Sequence, residues 1–228
     1  YVTARFREPV HAYYGPTMAY AVSEWSDVNG HAGPGFMLEN VAVHPLTAAG
    51  ALPGFGAELE ARMAQLPYLA RTAVLLRDRS RGRIQLDADG HPRIAYAPDA
   101  GDLARLRDGI LAAARAYFAA DAVEVYLPIQ TAPPLRSAKD LDAFATAALT
   151  PAKLCNLYAV HLFGGAVMAD APARGVCDED GACFAARGLF VTDASALPTN
   201  TGVNPQVTIM ANALRIAERV ATRGGRRG

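Results

Sequence analysis

The chain has 228 residues, enough for one large domain or two small ones, of which 51% are hydrophobic and 19% charged. Lys plus Arg and Asp plus Glu each number 22, so no global field selects for nucleic acid, an anionic membrane or an acidic substrate. No apolar run reaches the roughly 20 residues that a bilayer span needs, and the opening does not read as a signal peptide. Cys155, Cys177 and Cys183 are odd in number, match no zinc spacing and read as reduced thiols, which fits a cytoplasmic protein.

In chain order, residues 1–25 predict one or two strands, with Met18, Tyr20 and Val22 alternating in a half-buried period. Residues 26–35, rich in Gly, Asn, Asp and Pro, read as a loop, and Phe36 to Val43 as a strand. Pro45 to Gly56 reads as irregular. Phe55, Leu59, Met63 and Leu66 then fall on one face of a short helix. Strands are predicted at 72–77, 83–87 and 93–96, and Asp89-Gly90 joins the last two as a hairpin. Pro98 to Ala120 predicts a helix that buries Leu103, Leu106, Ile110, Ala114 and Tyr117 and starts on Asp99 or Asp102. A strand at 123–127, a Pro-rich loop at 128–138 and a helix at 139–149 follow.

The character changes after about residue 150. His161 to Ala169 is small and apolar apart from the histidine. Gly188 to Asp193 reads as a short buried strand ending in an acid, and a helix runs from Pro205 to about Thr222 with Ile209, Ala213, Ile216 and Val220 on one face. The fold class is α+β. Residues 1–150 form a mainly antiparallel sheet with helices, and 151–228 hold a strand and helix that need a partner to cover them. The basic tail, residues 223–228, reads as a solvated end.

Three places in the second part can carry chemistry. His161 sits among apolar and glycine neighbours that keep its imidazole neutral and able to accept a proton, or it is a core histidine with a satisfied hydrogen bond. Asp193 at a strand's carboxyl end suits a ligand crevice, or it is a turn or cap aspartate. Asn204-Pro205 reads as the N-cap and first residue of the last helix, whose free NH groups and dipole favour an anion. His11, His31, His44 and His91 read as structural or exposed. There is no Gly-x-Gly-x-x-Gly, no phosphate loop, no metal cluster and no Gly-x-Ser-x-Gly.

The stretch from Gly188 to Met210, Gly-Leu-Phe-Val-Thr-Asp-Ala-Ser-Ala-Leu-Pro-Thr-Asn-Thr-Gly-Val-Asn-Pro-Gln-Val-Thr-Ile-Met, resembles the C-terminal signature of the glucose–methanol–choline (GMC) oxidoreductases. His161-Leu-Phe-Gly-Gly-Ala-Val-Met168 is similar to that family's histidine motif, and the two motifs place His161 and Asn204 43 positions apart (204 − 161). Gly-Val-Asn-Pro, and the segment from Leu76 to Arg83 with its hairpin and helix, resemble the long-chain alcohol oxidase branch. Gly165 and Ala169 depart from the residues usual in the family.

The resemblance implies FAD as cofactor and a primary alcohol as substrate, oxidised to the aldehyde, with a long-chain alcohol implied by the likeness to the long-chain alcohol oxidase branch. His161 is the base, the hydride passes to flavin N5, and Asn204 orients the substrate oxygen. Asp193, Ala194, Asn204, Pro205, Gln206 and Thr208 hold the cofactor, and no metal is implied. It makes residues 1–150 the substrate-binding domain and 151–228 the C-terminal part of an FAD-binding α/β domain. The N-terminal Rossmann segment of that domain is expected to precede Tyr1, in the same gene or as a separate chain. The electron acceptor is left open between oxygen, a quinone and a cytochrome; the location is read as cytoplasmic, and a fatty substrate is compatible with peripheral association of the protein with a membrane. The alternatives are a sterol or other secondary-alcohol oxidoreductase, and a non-catalytic ligand-binding remnant that pairs with another chain.

Overall fold

A computed structural model describes residues 1–28, 33–130 and 132–224. His31, part of the loop at 26–35, one residue of the Pro-rich loop and the end of the basic tail lie outside the described residues. The chain divides into two compact units, Tyr1–Tyr158 and Ala159–Gly228.

The first unit is built on a five-stranded antiparallel sheet. Its strands are β1 (Val2–Arg5), β2 (Ala21–Val22), β3 (Phe36–Val41), β4 (Leu69–Leu76) and β7 (Glu124–Tyr126), in the order β2-β3-β4-β1-β7. Alternation along the strands sends Val2, Ala4, Phe36, Leu38 and Val125 to one face, where they pack on Leu103, Leu106, Ile110 and Ala114 of α3 (Ala100–Ala119). Asp99 caps α3, its carboxylate accepting the Asp102 amide at 2.8 Å. Asp102 itself ties the helix to the preceding loop. Only 1% exposed, it accepts from the amides of Arg79 and Ser80, the Ser80 hydroxyl and Arg105.

A second cluster, Val43, Ala48, Leu52, Leu69 and Tyr126, is covered by α1 (Pro45–Ala51) and α2 (Ala57–Met63). The segment 45–51, expected to be irregular, is therefore helical. His44 supplies the cap, its Nδ1 accepting the Leu46 amide at 3.3 Å, and Pro45 occupies the first turn. Leu59, Met63 and Leu66 pack inward as expected, but Phe55, 91% exposed, does not. The alternation at Met18, Tyr20 and Val22 also fails as a burial signal. All three are exposed, and Met18 takes a positive φ that breaks the strand.

β5 (Arg83–Leu86) and β6 (Pro92–Ala95) form a separate two-stranded sheet in which both strands are exposed throughout. The Asp-Gly turn is present: the Asp87 carboxylate accepts the amides of Asp89 and His91 at 3.0 and 2.9 Å. The helix expected at 139–149 is a shorter 3₁₀ segment, Ala138–Phe144, started by a Ser137/Asp140 capping box.

The second unit holds one long helix, α4 (Gln206–Gly224), and loops tied by backbone bonds. The strand expected over 188–193 does not form. Leu189 is 53% exposed, and the segment pairs with its neighbour only through Cys183 N to Leu189 O at 2.9 Å and Val191 N to Gly181 O at 2.8 Å. Two isolated bonds to a turn cannot build a ladder. Among the described residues, no helix is long and apolar enough to cross a membrane.

Candidate active site

His161 lies half-buried at a bend that precedes Gly164-Gly165. Its pKa is lowered from the ordinary imidazole value because burial desolvates the charged ring. The chain then runs past the Asp193 turn and is fixed to it. The Ala166 amide donates to Ser195 O and the Met168 amide to Ala196 O, both at 2.9 Å. These bonds fasten the histidine motif to the acid motif 27 residues later by sequence (193 − 166).

Asp193 is exposed and opens the single 3₁₀ turn Ala194–Ala196. Its carboxylate accepts both the amide and the hydroxyl of Ser195, and the hydroxyl bond, with the amide next, holds its pKa below the usual carboxylate range. The cap reading of Asp193 is therefore real, and the residue remains exposed. Ser195 is the residue that sequence reasoning missed; the Asp-Ala-Ser spacing is the signal for such a turn.

Asn204, Pro205, Gln206 and Thr208 gather at the opening of α4, with Pro205 buried and the other three exposed. The helix starts one residue later than expected. The Pro205 carbonyl accepts the first helical bond, from Ile209 N at 2.9 Å, so Pro205 occupies the capping position and Asn204 stands outside the helix. The first turn carries no acid. Free amide NH groups, the Gln206 amide and the Thr208 hydroxyl make a donor set suited to a large group that carries negative charge, such as FAD.

α4 is held against the rest of its unit by the fully buried Ile216, by Arg215 Nη2 donating to Glu179 O at 2.6 Å, and by Arg219 Nε, 3.9 Å from Asp180 Oδ1.

Other clusters do not compete. A cleft of about 490 Å³ in the first unit is lined by Arg5, Glu58, Arg62 and Glu124, which pair with one another (Arg5–Glu124 3.0 Å, Arg62–Glu58 2.5 Å). Asp87, Asp89 and His91 bring ligand atoms within 4.8 Å of one another, but on an exposed turn where Asp87 Oδ1 already takes two amides.

Comparison with known proteins gives these features a context. The family model described as GMC oxidoreductase matches residues 78–213. A GMC-type oxidoreductase of Mycobacterium tuberculosis is 33% identical over 218 residues, covering 96% of this chain and 33% of the relative. A long-chain-alcohol oxidase of Arabidopsis thaliana is 29% identical over 200 residues, covering 82% of this chain and 26% of the relative. A structure of Aspergillus oryzae formate oxidase, concerned with its FAD modification, matches with a TM-score of 0.59 at 19% identity, over 88% of this chain and 33% of that one, a likeness of fold. The chain spans about a third or less of the length of these proteins. With more than half of its residues matched by the family model, over a sheet-and-helix fold shared with a flavoenzyme, the chain belongs to the GMC oxidoreductase family.

Proposed function

We propose that this chain is the catalytic C-terminal part of an FAD-dependent alcohol oxidoreductase that converts a primary, long-chain alcohol to the aldehyde. The observation that carries the reading is His161. Burial lowers its pKa, so at neutral pH its imidazole is uncharged and ready to take a proton, and its segment is bonded to the acid motif. FAD, the cofactor of the family, would supply the electron sink for the carbinol hydride when bound. A ring nitrogen of His161 takes the hydroxyl proton of the alcohol. The Asn204 side-chain amide donates to the substrate oxygen and fixes the carbinol carbon toward the flavin. Asp193, Ala194, Pro205, Gln206 and Thr208 hold the cofactor, and the acid-free first turn of α4 favours negative charge beside it.

The first 150 residues act as the substrate-binding domain. Residues 151–228 complete an FAD-binding domain whose dinucleotide-binding segment is a separate part of the same protein or its partner. The long-chain reading is supported by the plant alcohol oxidase, which matches most of this chain. Oxygen, a quinone or a cytochrome would serve as the electron acceptor.

The test is an anaerobic stopped-flow measurement of flavin bleaching in the whole protein with a long-chain primary alcohol. His161→Ala should slow bleaching by about 10²–10⁴-fold while the flavin spectrum is retained. Asn204→Ala should slow it by about 10²-fold. Bleaching at the wild-type rate in His161→Ala refutes the assignment, and a flavin that no alcohol bleaches refutes the activity.

A further inference from the structure

Cys177 and Cys183 face each other across a small antiparallel hairpin that the proposed chemistry does not use. Its turn is closed by Asp178 N to Ala182 O at 3.0 Å and by Gly181 N to Asp178 O at 2.9 Å, with Gly181 at φ +75°. The Asp178 carboxylate adds bonds from the Asp180 and Ala182 amides, both at 2.9 Å. This is a three-residue hairpin loop with a left-handed glycine in its last position. One step further out, Phe184 N donates to Val176 O at 3.0 Å.

The two cysteines lie between these bonds, and their own amides turn outward, Cys183 N to Leu189 O at 2.9 Å and Cys177 N to Val167 O at 3.5 Å. That defines the non-hydrogen-bonded position of an antiparallel pair. There, opposed Cα atoms approach to about 4.5 Å and the side chains share a face. A disulfide accepts Cα separations of about 4.4–6.8 Å, so the backbone is already in place for a bond.

We propose that Cys177 and Cys183 are a dithiol that reacts with a hydroperoxide and closes to an intramolecular disulfide. The two thiols have different roles. Cys183 is half-buried and reachable, whereas Cys177 is fully buried and its thiol donates to Ala166 O at 3.4 Å. Burial, with the neighbouring Asp178 and Cys183, pushes the Cys177 thiol above its usual pKa. The Cys183 thiolate therefore attacks the peroxide oxygen. An S–O bond forms, the O–O bond breaks, and hydroxide or alkoxide leaves. Cys177 then turns about χ1 away from Ala166 O, gives up its proton and attacks the Cys183 sulfur. The S–S bond forms as the sulfenic oxygen leaves as water. Two thiols are oxidised, and one hydroperoxide is reduced to water and water or alcohol.

Cleavage after Arg174 and Arg187 releases both cysteines on one tryptic peptide, 175–187, while Cys155, in the other unit, stays as a reference. The intact flavoprotein is reduced, exposed to hydrogen peroxide, alkylated with iodoacetamide in denaturant, digested and weighed. The expected peptide is unalkylated and two hydrogens lighter, and dithiothreitol restores double alkylation. Cys177→Ser should leave Cys183 as a sulfenic acid that dimedone traps. Double alkylation after peroxide overturns the proposal, as does oxygen on Cys183 with Cys177 still alkylated, or a bond from either to Cys155.

Discussion

A Cβ placed on Gly181 would lie 2.8 Å from Cδ1 of Ile216 and 2.8 Å from the carbonyl oxygen of Val191. The hairpin turn and α4 thus occupy the same few ångströms, and the fit depends on a residue with no side chain. Gly181→Ala has to bear both its left-handed φ and the contact, a loss of about 3 kcal/mol. Gly90 has a similar φ, +83°, but open space around it, and it sits in the turn of an exposed ribbon that can open by itself, so Gly90→Ala should lower global stability by less than about 1 kcal/mol. Denaturant titration of the two variants measures the difference, and amide exchange along α4 should rise in the first alone.

His161 gives a pH dependence of defined sign. Its folded pKa lies below the ordinary value, so the folded state prefers the neutral ring. The stability this contributes is present above about pH 6.5 and is lost as pH falls through the lower folded pKa. The melting temperature of the wild type should therefore fall more between about pH 7 and 5 than that of His161→Gln. Equal slopes would show a ring that is not shielded from water.

Asp102 is the most loaded carboxylate of the first unit. Burial alone would raise its pKa, and the bonds from Ser80 and Arg79, with the charge of Arg105, outweigh that and lower it. Asp102→Ala leaves two amides and a largely buried guanidinium without their acceptor, a loss of about 3–5 kcal/mol in urea unfolding. Because the folded pKa is depressed, the contribution is held above the usual carboxylate range and lost as pH falls through the folded value.

Asp193→Ala separates a cap from a cofactor contact. The loss of the 3₁₀ cap should lower apoprotein stability by only about 1 kcal/mol. If the exposed side of the carboxylate touches FAD, the dissociation constant measured by fluorescence should rise about tenfold or more. An unchanged constant would leave Asp193 with its structural role alone.

Much of the fold was legible because hydrophobic period and turn chemistry agreed. β3, the Asp-Gly hairpin and α3 with its Asp99 cap sit where alternation, φ > 0 chemistry and 3.6-residue spacing place them. The failures share a cause. α1 was hidden because its cap is a histidine side chain, and the 188–193 segment reads as a strand from its apolar residues, although Leu189 is exposed and only isolated bonds to residues 181–183 hold the segment, a placement no local period encodes. At the candidate site, His161, Asp193 and Asn204 came from a motif. The bond pair from 166 and 168 to 195 and 196 joins segments almost 30 residues apart, so only the folded chain could display it.

The β5–β6 hairpin sets Ile84 against Ile94 and Leu86 against Pro92 on one face, yet Ile84, Leu86 and Ile94 are 59%, 71% and 65% exposed. A two-stranded ribbon with no layer over it gains little from burial, and its shape rests on the turn at Asp87 and the bond from the Tyr96 hydroxyl to Asp78. Its opening equilibrium is accordingly decoupled from the cooperative unfolding of the five-stranded sheet. Its ladder amides should take up deuterium within the first moments of an exchange experiment, while those of β3 and β4 remain protonated until the whole unit opens.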